Sequence, residues 1–178
     1  MLNPISFTRL LRLFPIVILS ALVSVSALAA DGTWKAGSAT ALITPKKPMW
    51  MAGYGGRNKP AESALHPLWI KVLVIEDANA HRGVILSSDT LGISQSIYNT
   101  VCNALKEKFG IERSQIMLHS SHTHCGPVLR GALYDIYPLD EEQRNRIDGY
   151  SEDLEEKIVE TVGKAIAGLA PARLYSGQ

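Results

Sequence analysis

A strand, a helix and a second strand follow one another in the middle of the chain, and this pattern limits the possible folds most. Residues 84–88 are mostly apolar, as in a buried strand. From Ser94, apolar residues recur at helical spacing as far as Phe109, and Gly110 can end the helix. Residues 115–118 form the next strand. Strands joined through a helix should run parallel with a right-handed crossover. The pattern therefore predicts an α/β fold whose mixed sheet contains a right-handed βαβ unit.

Further elements are indicated on both sides of this unit. Residues 39–44 are apolar and β-prone, and residues 69–76 are a buried strand by the same criterion. Asp140 can cap a second helix, which Gly149 could divide into two. Residues 172–175 return as a strand. Since nothing closes the fold after them, we expect residues 31–178 to be the front part of a larger domain.

Residues 1–30 differ from the rest and predict a secretory signal peptide. Arg9 and Arg12 precede an apolar run, and the small residues at 27–30 are typical of a cleavage site. An uncleaved anchor is the alternative, but the apolar run is shorter than the roughly twenty residues that a spanning helix needs. We therefore expect an exported protein that is periplasmic or extracellular after cleavage.

The charge balance excludes some partners. Without Arg9 and Arg12, 16 of the 18 basic residues remain against 17 acidic ones, a formal charge near −1. Nothing in this balance attracts nucleic acid. Cys102 and Cys125 could pair in an exported chain, although two unpaired thiols fit their positions better. The oligomeric state is not predicted.

Three of the five histidines lie in the run Met-Leu-His-Ser-Ser-His-Thr-His-Cys-Gly-Pro at 117–127. In an extended backbone His122 and His124 point to the same side, whereas His119 points to the other. Imidazole is the commonest metal ligand in proteins, and zinc accepts it readily. Two imidazoles alone do not complete a tetrahedral zinc site, and such pairs also occur as ordinary surface residues. Both interpretations stay open at this point.

The predicted topology gives the histidines a neighbour. Asp89 follows the first parallel strand and the histidines follow the second, so they should share the edge at which open α/β sheets bind ligands. Asp89 could orient an imidazole, contact a metal, or cap the turn at 91–92. The glycine-rich residues 51–57 allow close approach of backbone to a ligand, or are simply a loop.

A series of short motifs carries a family resemblance over nearly the whole of residues 31–178. Together they resemble the amino-terminal part of the neutral/alkaline (non-lysosomal) ceramidase family. The resemblance implies the catalytic domain of a secreted or membrane-associated zinc amidase, which hydrolyses the N-acyl bond of ceramide to sphingosine and a fatty acid. In chain order the motifs are Ile43-Thr-Pro45, Met51-Ala-Gly-Tyr54, Leu65-His66, Ser87-Ser-Asp89-Thr-Leu-Gly92 and Ser121-His-Thr-His-Cys-Gly-Pro127.

The resemblance also assigns roles to individual residues. It implies that His122 binds Zn²⁺ and that His124 is the catalytic histidine beside it, acting on the reacting carbonyl or its proton traffic. Asp89, Tyr54 and His66 are candidates for the rim of this site. The family completes its zinc site with a histidine, a glutamate and a tyrosine from later in a longer chain. We therefore expect these 178 residues alone not to hydrolyse ceramide at an enzyme-like rate.

The expected substrate is a ceramide-like lipid amide, with transient contact at a membrane surface. Bound zinc would lower the pKa of a water toward about 7 and polarise the acyl carbonyl. The sequence contains no G-x-S-x-G elbow, so a serine nucleophile has little support. Two alternatives remain: a metal-dependent hydrolase of another amide or ester, and a non-catalytic exported domain.

Overall fold

The computed structural model describes residues 34–175 and 177, so the predicted signal peptide lies outside the described residues. The elements are β1 (Trp34–Leu42), β2 (Trp69–Glu76), β3 (Arg82–Ser88), α1 (Gln95–Phe109), a short 3₁₀ turn (Arg113–Gln115), β4 (Ile116–Ser120), α2 (Glu141–Ala167) and β5 (Ala170–Ala172). Within this part of the chain the strands form one sheet in the order β4-β3-β2-β1-β5. No helix in it is long and apolar enough to cross a membrane.

The predicted α/β fold with a mixed sheet is confirmed. Strands β3 and β4 run parallel and are connected through α1, whereas the other neighbours in the sheet are antiparallel. The Ser94 side chain accepts a hydrogen bond from the amide of Ile97 and so caps α1. Gly110 ends the helix in a left-handed conformation with φ of +67°. The predicted start of the helix at Ser94 and its predicted end at Gly110 are therefore confirmed.

One face of the sheet holds the core. Along β2 the side chains of Ile70, Val72 and Val74 are buried, whereas Lys71 and Leu73 face solvent. Helix α2 packs on β1 and β2, and α1 packs on α2. Burying each such aliphatic side chain stabilises the fold by about 1.5 to 3 kcal/mol. The helices contribute fully buried side chains to this layer: Ile97, Val101, Leu105, Leu154, Ile158 and Val162.

Two boundaries in the second half differ from the predictions. Helix α2 runs unbroken through Gly149, so the predicted division is wrong. A single exposed glycine costs a helix only about 1 kcal/mol, and the buried side chains of Ile147 and Leu154 on either side outweigh it. The last strand is Ala170–Ala172, opposite the start of β1, rather than 172–175. Pro171 fits there because an edge strand can omit one ladder donor.

Strand β1 begins earlier than predicted, at Trp34, and ends at Leu42. Its first residues pair with the end of β2, where Lys35 lies opposite Glu76. The buried Glu76 carboxylate accepts a hydrogen bond from the Lys35 ammonium at 2.8 Å and another from Arg82 Nε at 2.8 Å. The extra pairing is thus secured by a charged contact that hydrophobic periodicity does not reveal.

Candidate metal and catalytic site

The ends of the two parallel strands are tied together by a small group of hydroxyls. The buried Thr90 Oγ1 donates to Ser88 Oγ at 3.2 Å and lies 3.1 Å from Ser120 Oγ. The amide of Ser121 donates to the Ser88 carbonyl at 2.9 Å. Because these contacts cross from β3 to β4, they fix the position at which the histidine loop leaves the sheet.

His122 and His124 lie together just beyond β4, but not for the predicted reason. Strand β4 ends at Ser120, and His122 has a left-handed backbone with φ of +56°. The prediction that strand alternation continues through both histidines is therefore wrong. The turn nevertheless brings the two rings to a centroid separation of 5.3 Å with a 68° angle between their planes. Such backbone conformations in residues other than glycine often occur at functional sites.

His122 is held by one hydrogen bond from its ring. Its Nδ1 lies 2.9 Å from the Leu91 carbonyl oxygen, which can only accept. In the neutral ring Nδ1 therefore carries the proton, and the lone pair is on Nε2. Metal-binding histidines typically donate their other ring N–H to a carbonyl in this way. His122 is exposed, so its tautomer and position suit it to donate Nε2 to a metal.

Asp89 supports the turn that carries Leu91. Its Oδ2 accepts a hydrogen bond from the Trp69 amide at 2.9 Å, and its own amide donates to the Trp69 carbonyl at 2.9 Å. Gly126 packs on the same turn, where an added Cβ would lie 3.0 Å from the Asp89 carbonyl oxygen. The carboxylate therefore joins the start of β2 to the turn after β3, two residues before Leu91. A direct contact between Asp89 and a metal stays a prediction.

His124 fits into a space that only glycine leaves open. Gly53 has φ of +112°, and a Cβ there would lie 2.4 Å from Cγ of His124. The Tyr54 ring stands edge-on to the imidazole, with centroids 4.5 Å apart. Among the described residues, no group hydrogen-bonds to the buried Nδ1 of His124. An unpaired buried polar atom costs about 1 to 3 kcal/mol, which makes this ring a candidate for binding a ligand.

The glycine-rich loop reaches His124 because it pairs with the segment that follows the histidines. Met51 forms an isolated bridge with Pro127. On either side of it, the Ala52 amide donates to Gly126 at 2.9 Å and the Val128 amide donates to Trp50 at 2.8 Å. From the sequence alone, residues 51–57 could be either a ligand-binding loop or a simple connection. The structure makes it one wall of the site.

Arg57 fastens the two loops to each other, and sequence reasoning missed it. Its guanidinium donates to the carbonyl oxygens of Met51 at 3.3 Å, Ala52 at 3.0 Å and His124 at 2.9 Å. It also lies over the Tyr54 ring, 5.0 Å from the centroid. An isolated arginine in a glycine-rich loop gives no signal of spacing or periodicity. Only the folded chain shows what it binds.

Of the other residues considered in the sequence, Tyr54 lies at the imidazole pair, whereas the rest are placed by other parts of the fold. Tyr54 is brought to His124 and is still 59% exposed as a residue. His66 is exposed and lines a cleft that Cys125 also lines. His119 is exposed on β4, before the turn that carries the pair. Cys102 is buried, Cys125 is exposed, and neither forms a disulfide.

The described residues do not form a complete metal site. They contain no cluster of three or more histidine, cysteine, aspartate or glutamate side chains arranged to hold a metal. Catalytic zinc uses three protein ligands and one open position, so the imidazole pair needs at least one further donor. The tautomer of His122 and the unpaired Nδ1 of His124 fit zinc chemistry as far as these two residues extend.

An α/β sheet with an imidazole pair beyond its parallel strands has the layout of a ligand-binding or hydrolytic α/β protein. Residues 34–178 match the family model described as neutral/alkaline non-lysosomal ceramidase, N-terminal. The chain therefore belongs to this family, as the motifs predicted.

Known proteins of the family are similar in sequence and in fold. Neutral ceramidases A and B of Dictyostelium discoideum are 29% identical over 113 residues and 28% identical over 111 residues, about 61% and 60% of this chain. The crystal structure of neutral ceramidase from Pseudomonas aeruginosa superposes with a TM-score of 0.64 and 26% identity over 79% of this chain. A ceramidase complexed with C2 gives a TM-score of 0.63 at the same identity and coverage. The matched part spans 15% of each Dictyostelium protein and 22% of each crystallised chain.

Proposed function

We propose that this chain provides the amino-terminal portion of the catalytic domain of a secreted, zinc-dependent amidase. The reaction is hydrolysis of the N-acyl bond of ceramide or a related lipid amide, which gives a sphingoid base and a fatty acid. Family membership supports the reaction class. The observation that carries the proposal is the hydrogen bond from His122 Nδ1 to the Leu91 carbonyl oxygen, which leaves the Nε2 lone pair available in a ring whose centroid lies 5.3 Å from that of His124.

In this proposal His122 holds zinc through Nε2, and Leu91 fixes the orientation of the ring. Bound zinc supplies a water of lowered pKa and a Lewis acid for the acyl carbonyl. The left-handed backbone at His122 belongs to the turn in which the two rings come within 5.3 Å of each other. Export is part of the proposal and rests on the sequence of residues 1–30.

His124 is proposed to act on the substrate rather than as the first metal ligand. Its ring lies 5.3 Å from that of His122 and is packed between Gly53 and Tyr54. A histidine so fixed can donate a hydrogen bond to the oxyanion that forms on the acyl carbon, or a proton to the leaving amine. Arg57 keeps the His124 backbone in place through the carbonyl oxygen. Proton transfer of this kind typically contributes about 10² to 10⁴ in rate.

The test is an assay of the product of the complete reading frame that contains this chain. We expect zinc-dependent release of fatty acid from N-acyl sphingosine, removed by chelation and restored by zinc. His122→Ala should lower kcat/KM by at least about 100-fold, since even the groups that only orient a metal ligand are worth 10- to 100-fold. His119→Ala is the matched control and should leave kcat/KM unchanged. Inactivity toward both N-acyl sphingosines and simple N-acyl amides would rule out the amidase.

A further inference from the structure

A cleft of about 420 Å³ opens beside the histidine loop, between residues 44–49 and 61–68. Small-molecule sites commonly measure about 300 to 1,000 Å³, so this cleft has the size of a binding site for one modest ligand. Its two walls are joined at both ends. The Leu68 amide donates to Thr44 Oγ1 at 2.8 Å, and the Ala61 amide donates to the Met49 carbonyl at 2.8 Å. One bond to a side-chain hydroxyl and one between backbone groups therefore fix the spacing of the two walls.

The lining of the cleft is mainly aliphatic. Met49, Met51 and Leu68 contribute long apolar side chains, and prolines and alanines fill much of the rest. Leu65, which also lines the cleft, is 91% exposed, the highest fraction among the large apolar residues of the described part of the chain. Water-exposed aliphatic surface next to a concave apolar wall favours a ligand with a hydrocarbon chain.

The charges around the cleft select the head group of such a ligand. Lys46 and Lys47 line it with exposed ammonium groups. Glu62 is its acidic lining residue, and this carboxylate is paired with Lys59. The charge left for a ligand is therefore positive, which favours a carboxylate over a cationic head group.

The cleft also adjoins the histidine pair. Cys125 and Pro127 belong to its lining, and Cys125 directly follows His124. Met51, another lining residue, bridges to Pro127 in the same short pairing that places Gly53 against His124. A chain lying in the cleft therefore ends close to the loop that carries both imidazoles.

We propose that this cleft binds the hydrocarbon chain of a fatty carboxylate. In the context of the amidase, on which this identification of the ligand rests, the ligand is the released fatty acid and the cleft is the acyl-chain site. Binding depends on the apolar walls and the two lysines, so it does not require a bound metal.

Cys125 provides a direct probe of occupancy. Cys125 is exposed in the lining of the cleft, whereas Cys102 is buried. A water-soluble thiol reagent should therefore react with Cys125 and not with Cys102. The test uses the full chain with chelator present and dodecanoate below its micelle concentration. At ten times its Kd, dodecanoate should slow labelling about tenfold, because the free fraction falls in that proportion. Butanoate should give no protection. Equal labelling rates with and without dodecanoate would overturn the proposal.

Two variants and one control place the ligand in the cleft. Ala64→Trp fills it and Leu65→Asp places a charge on its apolar edge, so each should remove the protection by dodecanoate. Leu174→Asp is the matched control, since Leu174 is 48% exposed and does not line the cleft. All variants contain the same apolar amino-terminal residues, so any binding of dodecanoate to those residues is the same in each variant and does not affect the comparison. Protection that survives in both cleft variants would overturn the proposal.

The head group is tested separately. Dodecyltrimethylammonium should protect Cys125 less than dodecanoate, and Lys47→Glu should remove most of that difference. Lys71→Glu, on the exposed face of the sheet, should not. Equal protection by both amphiphiles would overturn the assignment of an anionic ligand. Because labelling is measured without metal, failure of the amidase assay with protection retained would contradict only the proposed function.

Discussion

The helix-sheet layer and the loops at its edge are held together by different kinds of interaction. In the layer, aliphatic side chains such as Ile70, Leu105 and Ile158 are fully buried. At the edge, the loops of residues 50–57 and 121–128 are joined by backbone hydrogen bonds and by one guanidinium. The layer therefore sets the stability of the fold, whereas the edge sets the geometry of the imidazole pair.

The edge also uses positive φ angles, which in the layer occur only outside the strands and helices, for example at Gly110 just after α1. Both His122 and Gly53 have positive φ, and each lies at one of the two rings of the site. Conformations of this kind cost about 1 to 3 kcal/mol in residues other than glycine. Substitutions in the layer should therefore change mainly the free energy of unfolding, whereas substitutions at the edge should change mainly the positions of the two imidazole rings.

The largest effect is expected in the layer. Ile158→Ala removes a fully buried side chain between α2 and the sheet and should lower the free energy of unfolding by about 2 to 5 kcal/mol. Urea denaturation measures it. Ile85→Ala is the control, because Ile85 is 42% exposed on the other face of the sheet and its loss should cost about 1 kcal/mol or less. Equal losses would mean that the core lies elsewhere.

The next effect is expected at the edge. Gly53→Ala places a methyl group against the His124 ring at a residue with φ of +112°, and should cost about 1 to 3 kcal/mol. It should also shift the imidazole resonances of His124 in NMR spectra. Gly56→Ala is the matched control, since a Cβ there meets nothing within 4 Å. It should leave both the free energy of unfolding and the His124 resonances nearly unchanged. Unchanged His124 resonances in Gly53→Ala would contradict the close approach.

A smaller effect is expected for Arg57→Lys, which keeps the charge and loses the fork that binds three carbonyl oxygens. Because the side chain is partly exposed, we expect a loss of about 1 kcal/mol. The His124 resonances should shift while those of His119 stay in place. Arg144→Lys serves as the control, since Arg144 stacks on Tyr134 rather than on the site. Shifts of His124 in the control alone would show that Arg57 does not position it.

The last prediction concerns pH and belongs to the layer. Two hydrogen bonds, the larger effect from Lys35 and the smaller from Arg82, lower the pKa of Glu76 below its usual value. A lowered pKa in the folded state stabilises the protein above the unfolded pKa of about 4.3, and this contribution disappears as the pH falls through the folded value. Glu76→Gln should therefore lower the urea midpoint at neutral pH, and the difference from the unsubstituted chain should shrink below about pH 4. Glu142→Gln, at an exposed pair, should change the midpoint little at neutral pH. A constant difference at all pH values would contradict the assignment.

Much of the layer could be predicted from the sequence because its elements are specified locally. Strand β2 was predicted with its observed bounds, and α1 with its cap at Ser94. The errors arose where tertiary contacts decide. The ion pairs of Glu76 extend β1, and buried side chains carry α2 through Gly149.

The edge was predictable only in part. The histidine run predicted that His122 and His124 lie together, and they do, but the reason given, an extended backbone, was wrong. The role of Arg57 and the fit of Gly53 against His124 depend on residues about 70 positions apart, and no local pattern encodes them. The roles of His122, His124, Asp89, Tyr54 and His66 in catalysis stay predictions.

The central claim is that His122 offers Nε2 to a metal while Nδ1 is bound to Leu91. Nitrogen-15 NMR of the histidine rings tests it most directly, because the two ring nitrogens have different shifts when protonated. We predict that neutral His122 carries its proton on Nδ1, and that added Zn²⁺ moves the Nε2 resonance of His122 while the ring of His119 is unaffected. A proton on Nε2 of neutral His122, or equal responses of His119 and His122 to Zn²⁺, would contradict the account.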